Sequence, residues 1–438
     1  MKKTGKSVTR RKFVRTLGAA GAAGAFFIGS GKKAAANAPT TSSPLQDDPD
    51  FIDQAPDGKP LKAGLVGCGG RGTGAALQFM SAGNDCVITA LADVFEDRLN
   101  GTRNKLKKEK GVEVPDEKCF IGFDAYKKLI ASGVDVVLLA TPPHFRPEQF
   151  RTAINARKHV FMEKPVAVDP PGARSIMASA KKAEAMGLSV VTGTQRRHQR
   201  EYIETYRRIK AGAIGDIVSA NCYWNSGQLW YRDRKENWSD MEYMIRDWVN
   251  WCWLSGDHIV EQHVHNIDVI NWFTGMHPVS AVAMGARQRR PTGDQFDMFS
   301  VDFVYENGIH VHSMCRQISG CVNNVSEHIV GTRGTSNCHN VLRDPDGAEI
   351  WKFSGPTITP YVQEHIALVT AIRTKKPINE AENTAISTMA AIMGRISAYT
   401  GKRVTWDEMM ASDLKIGPTE YAMGPVDIEA VIPVPGVP

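Results

Sequence analysis

A glycine-rich hexapeptide, Gly67-Cys68-Gly69-Gly70-Arg71-Gly72, directly follows a short apolar run and opens a stretch of helical pattern. Gly67 permits a tight turn, Gly69 lets the backbone approach a pyrophosphate, and Gly72 permits close packing of the helix on the preceding strand. The free N–H groups at the N-terminus of such a helix attract phosphates. The motif therefore predicts a dinucleotide site, and Gly67, Gly69, Gly70, Arg71 and Gly72 are its first candidate residues.

Short apolar runs alternate with helical stretches over residues 60–194. This alternation predicts an α/β fold with a parallel, doubly wound sheet of the Rossmann type. The runs predicted to form buried strands are Leu61–Val66, Val87–Ala92, Val134–Ala140, His159–Met162 and Leu188–Thr192.

Polar residues follow several of these predicted strands, where open parallel sheets bind ligands beyond the strands' carboxyl ends. Asp93 ends the second strand, about twenty residues after the glycines, where a carboxylate binds a ribose 2′-hydroxyl. Because an acid there repels a 2′-phosphate, NAD is favoured over NADP, although Asp93 can also serve as a helix cap. Thr141, Pro142 and His144 follow the third predicted strand and join the candidate cofactor-binding residues.

The tripeptide Glu163-Lys164-Pro165 follows the next predicted strand. A lysine there can donate a hydrogen bond to a substrate oxygen, although a lone lysine after a strand is usually a surface residue. Two of the three residues, Glu163 and Lys164, are therefore candidates for the cofactor site.

The second region, residues 195–410, loses the strand–helix alternation and has runs typical of antiparallel strands. These runs are Ile217–Trp224, Val279–Arg287, Met298–Tyr305, Ile309–Gln317 and His328–Gly331. The region is also rich in tryptophan, with Trp224, Trp230, Trp238, Trp248, Trp251 and Trp253 close together. Aromatic rings stack on sugars and also fill cores, so both roles stay open for Trp224 and Trp251. Arg196 can bind substrate oxygens or lie at a solvated helix start.

The segment from Asp257 to Phe273 predicts one helix with Glu261, His265, Asp268 and Trp272 on one face. An imidazole titrates near neutral pH, so His265 is the candidate general acid or base, with Glu261 as its partner. The spacing of the histidines around Glu261 does not match the known zinc-binding helices, so no metal is expected.

The glycine motif, the acid after the second strand, the Thr-Pro loop and Glu163-Lys164-Pro165 together resemble the Gfo/Idh/MocA family, which includes glucose–fructose oxidoreductase and inositol 2-dehydrogenase. The resemblance covers residues 60 to about 410 and implies a second α+β domain with a large, open, mainly antiparallel sheet. It implies that Lys164 lies beside the nicotinamide and that His265 acts on a substrate hydroxyl. It also implies a homo-oligomer. The chain departs from the family pattern at Glu261, where the family typically has Asp, and at His263, where it often has Gly.

The N-terminal 38 residues resemble a twin-arginine export signal. Arg10 and Arg11 precede an apolar stretch, Leu17–Ile28, and a small-residue cleavage site at Ala36-Asn37-Ala38. This leader holds nine Lys and Arg and no Asp or Glu, so the remainder has 44 basic and 47 acidic residues. That slightly acidic remainder gives no support for nucleic-acid binding, and it has no apolar run long enough to span a membrane. Residues 39–59 are predicted to be a solvated linker and 411–438 a tail.

Three functions fit these features. The first is an exported NAD-dependent oxidoreductase that acts on a secondary hydroxyl of a sugar, polyol or glycoside, with Lys164 and His265 as catalytic residues. Because soluble NAD is not expected outside the cytoplasm, its cofactor would be tightly held and recycled in place. The second is an NAD-dependent enzyme that cleaves glycosides by oxidation and elimination. The third is a non-catalytic binder on the same fold.

Overall fold

The computed structural model of the protein describes residues 51–437. The predicted export leader and residues 39–50 of the predicted linker lie outside these described residues. Residues 51–59 form no helix or strand, yet Ala55 is only 3% exposed and its N–H donates to the carbonyl of Ala82 at 2.8 Å. This part of the predicted solvated linker is therefore anchored on the first domain.

Within residues 51–437, the first sheet has six parallel strands in the order β3-β2-β1-β4-β5-β6. The strands are β1 (Leu61–Val66), β2 (Cys86–Asp93), β3 (Cys119–Ile121), β4 (Val136–Leu139), β5 (His159–Met162) and β6 (Val190–Thr192). The predicted doubly wound sheet is confirmed, and the strand order reverses between β1 and β4, where such sheets bind their ligands.

Five helices connect these strands: α1 (Gly70–Ser81), α2 (Glu96–Lys110), α3 (Ala125–Ala131), α4 (Arg146–Asn155) and α5 (Pro170–Ala185). Asp169 caps α5 by accepting a hydrogen bond from the N–H of Gly172 at 2.8 Å, and prolines occupy the first turn, where no N–H donor is required.

The second sheet has nine strands in the described chain, in the order β14-β13-β12-β11-β7-β10-β9-β8-β15. They are β7 (Ile217–Ser226), β8 (Pro278–Ala286), β9 (Met298–Tyr305), β10 (His310–Gln317), β11 (Asn324–Gly331), β12 (Gly334–Ser336), β13 (Val341–Arg343), β14 (Glu349–Lys352) and β15 (Val404–Thr405). β7 and β10 pair in parallel and their neighbours pair antiparallel, so the predicted mainly antiparallel sheet is confirmed.

The remaining helices are α6 (Arg200–Lys210), α7 (Asp240–Arg246), α8 (Cys252–Ser255), α9 (His258–Glu261), α10 (Val264–Thr274), α11 (Pro360–Thr374), α12 (Ala381–Thr400) and α13 (Trp406–Ala411). The nearly fully buried helix α12 contacts both α5 of the first domain and β8 of the second sheet. It thereby joins the two domains around a shared core. None of the helices in residues 51–437 is long and apolar enough to cross a membrane.

The single helix predicted from Asp257 to Phe273 is wrong in one respect, because the chain breaks between α9 and α10 at Gln262 and His263. Asp257 has a left-handed backbone, φ +71°, and caps α9 with its own side chain. The break places Glu261 and His265 on separate helices, so the spacing that predicted a shared face does not apply to them.

Candidate active site

The glycine-rich turn between β1 and α1 opens into a cavity of about 450 Å³, within the ~300–1,000 Å³ typical of small-molecule sites. A Cβ atom on Gly72 would lie 1.9 Å from the carbonyl oxygen of Gly67, so the turn requires glycine there. A Cβ on Gly69 or Gly70 would meet no atom within 4 Å, so this face of the turn is open. These features fit a dinucleotide whose phosphates bind at the start of α1.

Asp93 lies in the wall of the same cavity, at the end of β2. Its carboxylate accepts hydrogen bonds from the N–H of Cys68 at 2.6 Å and of Phe95 at 2.8 Å. Burial raises the pKa of Asp93, and these hydrogen bonds oppose that rise. The carboxylate thus connects the glycine turn to the loop after β2, where a cofactor ribose would lie.

Arg146, at the start of α4, fixes the two loops that follow β4 and β5. The side chain is buried, and it donates from Nε to the carbonyl of Thr141 at 2.9 Å. Its Nη1 donates to the carbonyls of Glu163, at 3.0 Å, and Pro165. Burial lowers the pKa of Arg146 to about 10. Nothing in the sequence singles out Arg146, because an arginine at the start of a helix resembles any solvated one.

The carboxylate of Glu163 forms an ion pair with Arg71 of the same domain. Arg71 Nε lies 2.5 Å from Glu163 Oε1, and Arg71 Nη2 lies 3.1 Å from Oε1 of the fully buried Glu364 on α11. Burial, reinforced by the charge of Glu163, raises the pKa of Glu364 well above its usual range. Arg71 also lies in the wall of the cavity, so the two carboxylates hold its side chain at the edge of the candidate nucleotide site.

Lys164 contacts Glu261 across the boundary between the two domains. Lys164 Nζ donates to the backbone carbonyl of Glu261 and, at 3.1 Å, to its Oε1. Both side chains are nearly buried, with 10% and 8% of their surface exposed. The predicted partner of His265 therefore contacts the lysine, and its longer side chain reaches across the interface.

His265 lies at the start of α10, with its ring stacked on Trp224 of β7 at a centroid distance of 5.7 Å. Burial, together with the positive charges of Lys164, Arg196 and Arg71, lowers the pKa of His265 well below its usual value. The imidazole is neutral at pH 7, and its Nδ1 is buried with no hydrogen-bond partner among the described residues. The neutral imidazole is the form that accepts a proton, and the surrounding cations weaken it as a base because they disfavour its protonated form.

Arg196 contacts the other side of this cluster, with its guanidinium 5.7 Å from the Trp224 ring. It forms a 2.5 Å ion pair with Glu327 on β11, which also accepts from Tyr202 and Asn266. The structure brings five predicted site residues together: Lys164, Glu261, His265, Trp224 and Arg196. Within this cluster the guanidinium of Arg196 is paired with the buried carboxylate of Glu327.

Two predicted site residues, His144 and Trp251, have their contacts outside the cluster around Lys164 and His265. His144 is absent from the residues that line the nucleotide cavity, as are Glu163 and Lys164, and its ring packs on Trp253 at 5.0 Å and contacts the hydroxyl of Tyr421 at 2.7 Å. Trp251 is 7% exposed and belongs to an apolar cluster with Phe95 and Trp253. Local sequence predicts neither the contact between His144 and the C-terminal tail nor the packing of Trp251 among apolar side chains.

The tryptophan-rich tract divides between several roles. Trp224 contacts His265, whereas Trp251 and Trp253 are buried in the apolar cluster. Trp230 and Trp248 line the nucleotide cavity, a role that the local sequence does not indicate. Among residues 51–437, no group of three His, Cys, Asp or Glu side chains is arranged to hold a metal ion.

The comparisons with known proteins agree with this architecture. Residues 61–192 match the model of the GFO/IDH/MocA oxidoreductase family with an NAD-binding Rossmann fold, and residues 202–337 match a GFO/IDH/MocA C-terminal domain. The chain belongs to the Gfo/Idh/MocA family. Its first domain is therefore an NAD-binding domain, and NAD is its cofactor.

Individual relatives share modest identity with the chain. Myo-inositol 2-dehydrogenase of Thermotoga maritima is 30% identical over 35% of this chain and 42% of its own length. The 2,7-anhydro-N-acetylneuraminate hydratase of Escherichia coli is 24% identical over 63% of this chain and 66% of its own length. The chain thus matches less than two thirds of the length of either curated relative.

Solved structures share the fold. Scyllo-inositol dehydrogenase of Lactobacillus casei, with bound NAD(H) and scyllo-inositol, superposes with a TM-score of 0.61 at 23% identity. The superposition covers 81% of this chain and 100% of that one.

Proposed function

We propose that the protein is an NAD-dependent oxidoreductase that acts on a secondary hydroxyl of a polyol or sugar. The observation that carries the proposal is the junction where Lys164 of the first domain meets Glu261 and His265 of the second. The similarity to myo-inositol 2-dehydrogenase of Thermotoga maritima supports a cyclic polyol or a related sugar as the substrate class.

The residues of this junction have complementary roles in the proposed reaction. Lys164 Nζ, which contacts Glu261 in this structure, donates a hydrogen bond to the substrate hydroxyl oxygen and stabilises negative charge developing there. The neutral imidazole of His265 accepts the hydroxyl proton. Bound NAD supplies the hydride acceptor. The alcohol thus loses a proton and a hydride and becomes a ketone.

Three further residues position the reacting groups. Arg146 fixes the loops that carry Thr141 and Lys164, and Trp224 and Arg196 surround His265.

Because Lys164 is the proposed hydrogen-bond donor to the substrate oxygen, Lys164→Ala is expected to abolish oxidation of the substrate while NAD still binds. The control is Lys158→Ala, which replaces a partly buried lysine just before β5 that has no place in the proposed site.

The test is a single-turnover assay. NAD-loaded protein is mixed with inositols, other polyols and aldoses, and the near-ultraviolet absorbance of reduced nicotinamide is followed. The expected result is reduction by at least one of these compounds in the parent and the Lys158→Ala variant, and none in Lys164→Ala. Equal reduction in Lys164→Ala would overturn the proposed catalytic role.

A second candidate is a reaction in which oxidation precedes elimination, as in NAD-dependent cleavage of a glycoside. The similarity to the 2,7-anhydro-N-acetylneuraminate hydratase of Escherichia coli favours keeping it. Cleavage of an aryl glycoside that requires NAD and disappears in His265→Ala would select this reaction. NAD binding without turnover of any tested compound would leave the non-catalytic binder.

We also propose that the protein is exported with its cofactor tightly bound and recycled in place. The paired arginines Arg10 and Arg11 before a short apolar run support export of the folded protein. Replacing both with lysine is expected to retain the protein in the cytoplasm, as measured by cell fractionation. Export that persists in this variant would contradict the twin-arginine route.

We further propose a homo-oligomer built on the uncovered face of the second sheet. Exposed apolar side chains of β8 support this, since Met284 is 72% and Val282 47% exposed. Light scattering is expected to give a multiple of the chain mass, and Met284→Glu is expected to lower it. A monomeric parent protein would rule the proposal out.

A further inference from the structure

The nucleotide cavity is walled by both domains. Part of its wall is formed by a segment of the second domain that follows β7 and packs against the loop after β2. We call residues 227–250 the covering segment. The cavity-lining residues that it contributes are Trp230, Arg232, Ile245, Arg246 and Trp248.

A bidentate ion pair connects the covering segment to Asp97 in the first turn of α2, just past the loop after β2. Arg246 Nη2 and Nη1 donate to the two carboxylate oxygens of Asp97 at 3.0 and 3.1 Å. The same guanidinium lies 3.9 Å from the centroid of the Phe95 ring. Phe95 and Asp97 lie two and four residues after Asp93, so the covering segment is attached close to the carboxylate that is expected to bind the cofactor ribose.

Apolar packing holds the covering segment against that loop. Met241, Met244 and Ile245 of α7 belong to one buried cluster with Phe95. The N–H of Met241 also donates to the carbonyl of Gly424 in the C-terminal tail at 3.1 Å. The segment is therefore a packed wall of the cavity.

The side chains that this wall presents are suited to a purine nucleoside. Trp230 and Trp248 offer aromatic faces, on which bases stack. Their ring centroids are 6.3 Å apart in an edge-to-face arrangement. Arg232 lies beside them, held by a hydrogen bond from its Nε to the carbonyl of Arg246 at 3.0 Å. The glycine-rich turn lines the same cavity, so a diphosphate there would extend its adenosine toward the two rings.

We propose that the covering segment completes the adenosine subsite, with Trp230 and Trp248 as its aromatic walls and Arg246–Asp97 as its closure. Adenosine enclosed in this way leaves only after the closure opens, so the segment slows cofactor release. The inference rests on the proposed function in that it takes NAD as the nucleotide, and it supplies a physical basis for the proposed cofactor retention.

The experiment measures the dissociation of NAD from protein freed of nucleotide and reloaded with NAD. Dissociation is started by dilution into excess competitor and followed by tryptophan fluorescence. Asp97→Asn and Arg246→Met are each expected to speed release about tenfold, because the loss of ~1.4 kcal/mol from the bound state is a tenfold change. The Asp97 side chain is 61% exposed, so its variant keeps the fold.

Arg234→Met is the matched control, because Arg234 belongs to the same segment, does not line the cavity and pairs with Asp240 at the surface. It is expected to release NAD at the parent rate. Release at the parent rate in both Asp97→Asn and Arg246→Met would overturn the proposed closure.

The position of the subsite is tested with fragments of NAD. Trp230→Leu is expected to weaken the binding of AMP about tenfold, from lost stacking of ~1–3 kcal/mol, and to leave nicotinamide mononucleotide unaffected. The opposite pattern would overturn the assignment of the adenosine end. These binding measurements do not depend on catalysis. If the variants behave as expected but the protein oxidises no polyol, the proposed function fails and the adenosine subsite stands.

Discussion

At the scale of single residues, the account depends on an imidazole that stays neutral at the pH of the cell. His265→Asn removes the proposed proton acceptor and keeps a polar side chain in its place. We expect kcat/KM for polyol oxidation to fall by about 10²–10⁴-fold, the usual contribution of a general base, with NAD affinity unchanged. Steady-state kinetics and fluorescence titration with NAD measure the two quantities.

The control is His310→Asn, which replaces a histidine with 64% of its side chain exposed on β10. It is expected to behave as the parent. A His265→Asn enzyme as active as the parent would exclude His265 as the proton acceptor.

The candidate catalytic residues could be chosen from sequence, but their contacts could not. Lys164 and His265 were chosen because their positions match the pattern of the Gfo/Idh/MocA family. The Lys164–Glu261 contact joins residues 97 positions apart, and the role of Arg146 depends on carbonyl groups of two separate loops. Such partners become visible only when the domains are assembled, since local patterns carry no information on long-range contacts.

At the scale of elements, two glycines in the turn between β1 and α1 are expected to respond differently to replacement by alanine. A Cβ on Gly72 would overlap the Gly67 carbonyl at 1.9 Å, whereas a Cβ on Gly70 would meet nothing within 4 Å. Gly72→Ala is therefore expected to lower the free energy of unfolding by about 1–3 kcal/mol, as strained core insertions do, and to weaken NAD binding. Denaturant unfolding and NAD titration provide the measurements.

Gly70→Ala, in the same turn, should unfold at the parent denaturant concentration or slightly higher, because alanine favours the helix. Equal stability of Gly72→Ala and Gly70→Ala would show that the turn is looser than the structure describes.

The strands differ in how well sequence predicts them. β1, β5 and β9 were predicted at their observed bounds, because each is a clear apolar or alternating run. The short strands β3 and β12 to β15 were missed, since two to four residues carry no measurable period and are placed by their neighbours in the sheet. The break between α9 and α10 at Gln262 and His263 was missed because both helices are apolar and no glycine or proline marks the boundary between them.

At the scale of the whole molecule, buried neutral histidines make stability sensitive to acid. Burial lowers the pKa of His263 to about 3, below the value of about 6.5 in the unfolded chain. The stability that depends on neutral His263 is therefore fully present above about pH 6.5 and decreases as the pH falls toward 3. His144, with a pKa lowered to about 4 by burial, acts in the same direction.

Between pH 7 and pH 5, His263 alone is expected to remove about 2 kcal/mol from the free energy of unfolding. Denaturant unfolding at the two pH values measures the loss, and in His263→Gln the loss should be smaller by about that amount. An identical loss in parent and variant would show that His263 is not held neutral.

The two-domain architecture as a whole followed from the glycine motif and the change of pattern near residue 195. The way in which the second domain closes the nucleotide cavity did not, because Arg246 and Asp97 are 149 positions apart. The C-terminal tail is a similar case, since its contacts with His144 and Met241 join distant parts of the chain.

The most direct test of the account is the nucleotide content of the protein as it is made in the cell. The full chain is purified without added cofactor and denatured, and the released nucleotide is identified and counted. The account predicts about one NAD or NADH per chain, held in the cavity that both domains enclose. Protein that releases no nucleotide and binds no added NAD would contradict it.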